Sequence, residues 1–179
     1  MTILIKCDRL PFMKRLLIKF MGVLLLSLLL TLPSVGDSYT EKGYKMIEQN
    51  STIEPFTLKD QFGKEHTLDK MPKLLICSFG KETGTLISNY FNAQGSDYLA
   101  KHDIKLMADV SSVPSLLRST FIVPKMKNYS FEILLSTDSK FSKLFPKEED
   151  KLTILKIEDG VVKEVSFVGN EAELKEAIE

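Results

Sequence analysis

Cysteine and histidine occur only twice each here, and their spacing decides what chemistry they can do. Cysteine occurs twice, at Cys7 and Cys77, and never as a Cys-x-x-Cys pair. Dithiol–disulfide exchange needs one low-pKa thiolate to attack and a second thiol to resolve the mixed disulfide. Cys77 stands inside an apolar run, between Ile76 and Ser78, the setting of a small buried hydrophobe. The enzyme alternative is a single-cysteine thiol peroxidase or redox sensor acting through Cys77. Thr83 and Thr85 follow the break Gly80-Lys81-Glu82. Their hydroxyls lack a recognisable neighbouring base, so they read as helix caps. Lys81 and Glu82, with Arg118 further on, offer charged groups to a ligand. His66 and His102 lack metal-ligand spacing, so no metal site and no cofactor is expected. No Gly-x-Gly-x-x-Gly follows a strand, which leaves a flavin-linked oxidoreductase as a remote alternative.

These residues need a scaffold. Leu74 to Phe79 is a continuous apolar run, and Leu86, Ile87, Tyr90 and Phe91 recur at helical spacing after the break. A buried strand, a short turn and a helix starting near Thr83 are predicted. Before them, residues 55 to 68 alternate around Asp60-Gln61-Phe62-Gly63, the pattern of a β-hairpin. After them come a one- or two-turn helix over 97 to 101 and a strand over 104 to 110. A helix follows with Pro114 in its first turn, expected to stop before Pro124. Strands are predicted at 131 to 136, 152 to 157 and 161 to 168, the last two joined at Asp159-Gly160. A helical turn at 138 to 145 and a closing helix at 171 to 178 complete the chain. The order predicts an α/β domain, a mixed and mostly parallel sheet with an antiparallel edge and helices on both faces.

The first thirty-six residues belong to a different plan. Lys14, Arg15 and Lys19 precede an almost wholly apolar Phe20 to Leu32, and Pro33-Ser34-Val35-Gly36 puts small residues before Asp37. This is a secretory signal layout, with Met13 as a possible true start and an uncleaved inner-membrane anchor as the alternative. Periplasmic export is expected. Cleavage takes five basic residues and one acid, so 24 of each become 19 and 23, a net charge of −4. Without a basic stripe, nucleic acid is not an expected partner. A membrane is expected only through an uncleaved signal segment. Residues 37 to 54 read as an exposed lead-in. Within them Asn50-Ser51-Thr52, with Glu48 ahead, is a candidate glycosylation acceptor in an exported protein. Cys77 alone survives processing, so no intrachain disulfide can form.

The element order, with Phe-x-Leu-x-Asp-Gln-x-Gly at 56 to 63, resembles the thioredoxin-like superfamily, in its peroxiredoxin and TlpA branch, from about Pro55 to Glu179. Arg118-Ser119, the region of Lys127 to Tyr129, Asp138, Phe145, Asp159-Gly160 and Glu173-Leu174 form a pattern similar to the YtfJ family of small exported thioredoxin-fold proteins. The resemblance implies a thioredoxin-like fold. The chain departs from it where the chemistry sits. Thr83-Gly84-Thr85-Leu86 stands where the superfamily places Cys-x-x-Cys, and Leu152-Thr153 where it places a cis-proline. The expectation is a redox-inactive binding or accessory module. Its recognition surface is the turn Lys81, Glu82, Thr83 and Thr85 with Arg118 nearby, and its partner an unknown periplasmic protein or small ligand. A membrane-tethered assembly factor is a less favoured reading.

Overall fold

The computed structural model describes residues 45–179. The proposed signal segment, Cys7 and the first part of the lead-in lie outside the described residues. Strands β1 (Phe56–Asp60) and β2 (Glu65–Leu68) pair as the expected hairpin. Asp60 builds its turn: one carboxylate oxygen accepts the N–H groups of Phe62 and Lys64 at 2.8 and 2.9 Å. Gly63 takes the left-handed φ of +86° that closes the turn. The buried Gln61 amide then pins the hairpin to the sheet, donating to Phe131 O at 2.7 Å and accepting from Ile133 N–H at 3.0 Å.

Strand β3 (Leu74–Ser78) is buried at every position, as its unbroken apolar run requires. It leads into α1 (Lys81–Asn92), then α2 (Tyr98–Lys101) and β4 (Ile104–Asp109). Next come α3 (Ser115–Leu117), a π-helical turn Arg118–Ile122 and α4 (Val123–Met126). The remainder is β5 (Leu134–Ser136), α5 (Ser139–Ser142), β6 (Leu152–Glu158), β7 (Val161–Val168) and α6 (Glu171–Ile178). One seven-stranded sheet results, in the order β2-β1-β5-β4-β3-β6-β7.

Successive side chains of β3 point to opposite faces, which divides the core in two. Leu74 and Ile76 join Ile87, Tyr90 and Phe91 of α1, Met126 of α4, and Leu174 and Ile178 of α6. Leu75 and Cys77 join Met107, Phe145, Leu155 and Val162 on the other face. Each large apolar side chain so buried contributes about 1.5–3 kcal/mol. The two β–α–β crossovers step the same way across the sheet, β3 to β4 to β5, so a common hand puts α1 and the α3–α4 helix on one side.

Four expectations are corrected. The sheet is mixed but not mostly parallel: parallel pairing is confined to β3–β4–β5, and the other four pairings are antiparallel. The opening and closing hairpins flank the parallel centre, and periodicity cannot reveal where they dock. The described part of the lead-in is exposed at most positions, as expected, but it is not a free arm. Ile47 and Ile53 are buried in the second cluster, and the backbone bonds Leu144, Gly160 and Val162, strapping this segment over the face that α5 covers only in part. Helix α1 begins at Lys81, because Gly80 is extended (φ −156°) and serves as N-cap. The fourth concerns Pro124, which does not stop its helix. Val123 N–H reaches back to Arg118 O, a five-residue step. That wider π turn loosens the ladder just where a proline ring would press on the carbonyl four residues earlier and donate nothing.

Candidate functional site

The β3–α1 junction is held by one side chain. Thr83, third residue of α1 and 2% exposed, accepts Gly80 N–H at 3.0 Å and lies 2.9 Å from Ser78 Oγ. Its hydroxyl is also within 3.0 Å of Gly80 O. Glycine has no side chain to cap the helix, so Thr83 reaches back and does it from within. Thr85 is exposed but also occupied locally, donating to Lys81 O at 2.9 Å. Lys81 and Glu82 project to solvent; Glu82 in the first turn suits the positive end of the helix dipole.

Beside this junction lies a cleft of ≈ 230 Å³. Lys81, Gly84 and Thr85 form one wall, and Val113, Ile122, Lys125, Met126 and Tyr129 line it from across. Two lysines and Asp109, among apolar and small polar side chains, line a space that fits a small group or one side chain, since drug-sized ligand pockets run to about 300–1,000 Å³. Burial pushes the Tyr129 phenol up, so it remains a neutral hydroxyl.

Arg118 does not join this cleft, contrary to expectation. Its guanidinium donates to Val110 O at 3.1 Å, and the side chain lines a separate groove of ≈ 490 Å³ against the β1–β2 turn. Thus Lys81 and Thr85 share a cleft, Thr83 is committed inward, Glu82 stands in solvent, and Arg118 serves another surface. Asn50 is exposed in a tight turn with φ +68°, a conformation asparagine tolerates.

Cys77 is fully buried, opposite Met107 on one side and Thr153 on the other. Desolvation raises its thiol far above the ordinary range, so the nucleophilic thiolate is suppressed. Thr153, at the position where the superfamily resemblance implies a cis-proline, is a buried strand residue donating to Pro146 O at 2.7 Å.

One group of side chains was not foreseen. His66 Nε2 lies 2.9 Å from Asp60 Oδ2 and 3.5 Å from Glu132 Oε2. Burial alone would raise the Asp60 pKa, but the His66 bond and the backbone N–H groups of Lys64 and Phe62 outweigh it and hold it below the usual value. The β1–β2 register, Leu58 opposite His66, is legible from the hairpin pattern and sets His66 near Asp60. Glu132 arrives only through the β1–β5 pairing, for which the sequence carries no signal.

No protein-family model matches the chain, and no curated protein does. Solved structures do match in fold. A proposed thioredoxin from Neisseria meningitidis aligns with 73% of this chain and 89% of its own, at 13% identity and TM-score 0.51. Peroxidoxin BcpB from Mycobacterium tuberculosis aligns over 74% and 94%, at 15% identity and TM-score 0.51. A proposed thiol:disulfide interchange protein DsbE from Chlorobium tepidum covers 74% and 93%, at 14% identity and TM-score 0.50. The chain has the thioredoxin-like fold. At these identities the likeness concerns architecture alone.

Proposed function

We propose that this is an exported thioredoxin-fold protein of the YtfJ type that has given up thiol–disulfide exchange and works as a binding or accessory module. The observation that carries the reading is the β3–α1 junction. Where the fold neighbours named for thiol chemistry suggest a reactive turn, this chain has a threonine cap, and its one described thiol is sealed in the core. Open on one side of that turn is the ≈ 230 Å³ cleft. Its two lysines, against the single acid Asp109, suit a small acidic ligand or an acidic side chain of a partner. The signal layout and the 118–174 residue pattern support export and the YtfJ affinity.

Amide-shift mapping by NMR with a library of small carboxylates and acidic peptides tests the reading. Binding should move residues 80–85, 109–113 and 122–129, and Lys125→Glu should abolish it. Catalysed reduction of insulin disulfides, or shifts confined to other faces, would refute it.

A further inference from the structure

Asp60, His66 and Glu132 come from the turn after β1, from β2 and from the approach to β5. One ligand atom of each lies within 4.8 Å of the others. Both carboxylates are held by one oxygen and present the other. Asp60 Oδ1 is taken by the N–H groups of Phe62 and Lys64, and Glu132 Oε1 by Lys105 Nζ at 3.0 Å. Asp60 Oδ2 and Glu132 Oε2 both face His66 Nε2. One ring nitrogen therefore meets two anionic oxygens. A single N–H can satisfy the first at 2.9 Å, but 3.5 Å to the second is too long for a good hydrogen bond.

We propose that Asp60, His66 and Glu132 form a binding site for one divalent cation of the zinc class. A cation with bonds of about 2.0–2.2 Å sets neighbouring ligand atoms roughly 3–3.5 Å apart, the range spanned by the two nitrogen–oxygen distances here. One imidazole and two carboxylates suit zinc, or cobalt in its place, better than calcium or magnesium, which prefer all-oxygen shells. Three protein ligands leave a fourth position for water or an incoming ligand. The fixed second oxygens of Asp60 and Glu132 are the outer contacts that orient such ligands. Lys105 offsets one of the two carboxylate charges, leaving a net −1 with neutral imidazole, and a divalent ion is attracted. Asp60 and His66 are well covered while Glu132 is partly open, so the ion enters from the Glu132 side.

The test is titration of chelator-stripped protein with Zn²⁺ by calorimetry and with Co²⁺ by visible absorption. His66→Gln and Glu132→Gln serve as variants; each keeps a polar group for its remaining neighbour. The wild type should bind one equivalent, show a cobalt ligand-field band and melt higher with Zn²⁺. Each variant should bind at least tenfold more weakly while retaining the wild-type circular dichroism. Absence of binding would overturn the site and leave His66 as a plain hydrogen-bond partner of Asp60. Equal binding by wild type and both variants would also overturn it, by placing the metal elsewhere.

Discussion

Replacing Thr83 by valine should destabilise the domain by about 2 kcal/mol. Valine keeps the shape but removes the hydroxyl that accepts Gly80 N–H at 3.0 Å and meets Ser78 Oγ at 2.9 Å. A net hydrogen bond is worth ~1 kcal/mol, and a buried polar group stripped of its partner costs ~1–3 kcal/mol. Two groups lose a partner, but the penalty is tempered. Ser78 retains Gly80 O at 3.4 Å, and Gly80 is exposed enough to recruit water. In a domain of this size that loss lowers the melting midpoint by about 6–10 °C. Thr83→Ser keeps the hydroxyl and loses a methyl group, which costs ~0.5–1.5 kcal/mol. Thermal and urea unfolding of the three proteins, followed by circular dichroism, checks the order wild type, serine, valine. If Thr83→Val is as stable as the wild type, the cap does not hold the junction and the hydroxyl is free for another task.

Two further outcomes follow from local geometry. Gly160 has φ +77°, and a Cβ added there would meet nothing within 4 Å, so Gly160→Ala should cost ~1–2 kcal/mol through backbone strain alone, seen as a lower urea midpoint at unchanged slope. The Gly169 N–H at 2.7 Å, with smaller help from Asn170 and Lys151, holds the Glu173 carboxyl below its ordinary value of 4.5. Its stabilising contribution is therefore complete above pH 4.5 and is lost as pH falls through the lower folded value. Wild type should out-melt Glu173→Gln near neutrality, and the gap should close in acid.

How far the sequence reached depends on the kind of interaction. Local signals succeeded. Alternation around Asp60 to Gly63, the unbroken run at Leu74 and the Asp159-Gly160 turn marked their elements within a residue or two, because each depends on neighbours in the chain. Cys77 was legible as a core residue for the same reason. Long-range pairing was not legible. The docking of β1 on β5 and of β6 on β3 makes four of the six pairings antiparallel, against expectation, and the first of these brings Glu132 to His66. Arg118 was expected near the helix start; it bonds Val110 O at the edge of that cleft, while its side chain lines the groove against the β1–β2 turn. Pro124 misled because the rule that proline ends a helix ignores the wider turn available. Ile47 and Ile53 lie too far apart in a polar stretch to announce a strap.

The proposal that this thioredoxin fold works without thiol chemistry rests, among the described residues, on Cys77. The most direct measurement is its rate of reaction with a thiol-specific reagent, in buffer and through a urea titration. Labelling of Cys77 in the folded protein that starts at Asp37 should be negligible, and its onset should coincide with unfolding, since full burial protects the sulfur. Rapid labelling without denaturant would contradict the claim and make single-cysteine chemistry the leading explanation.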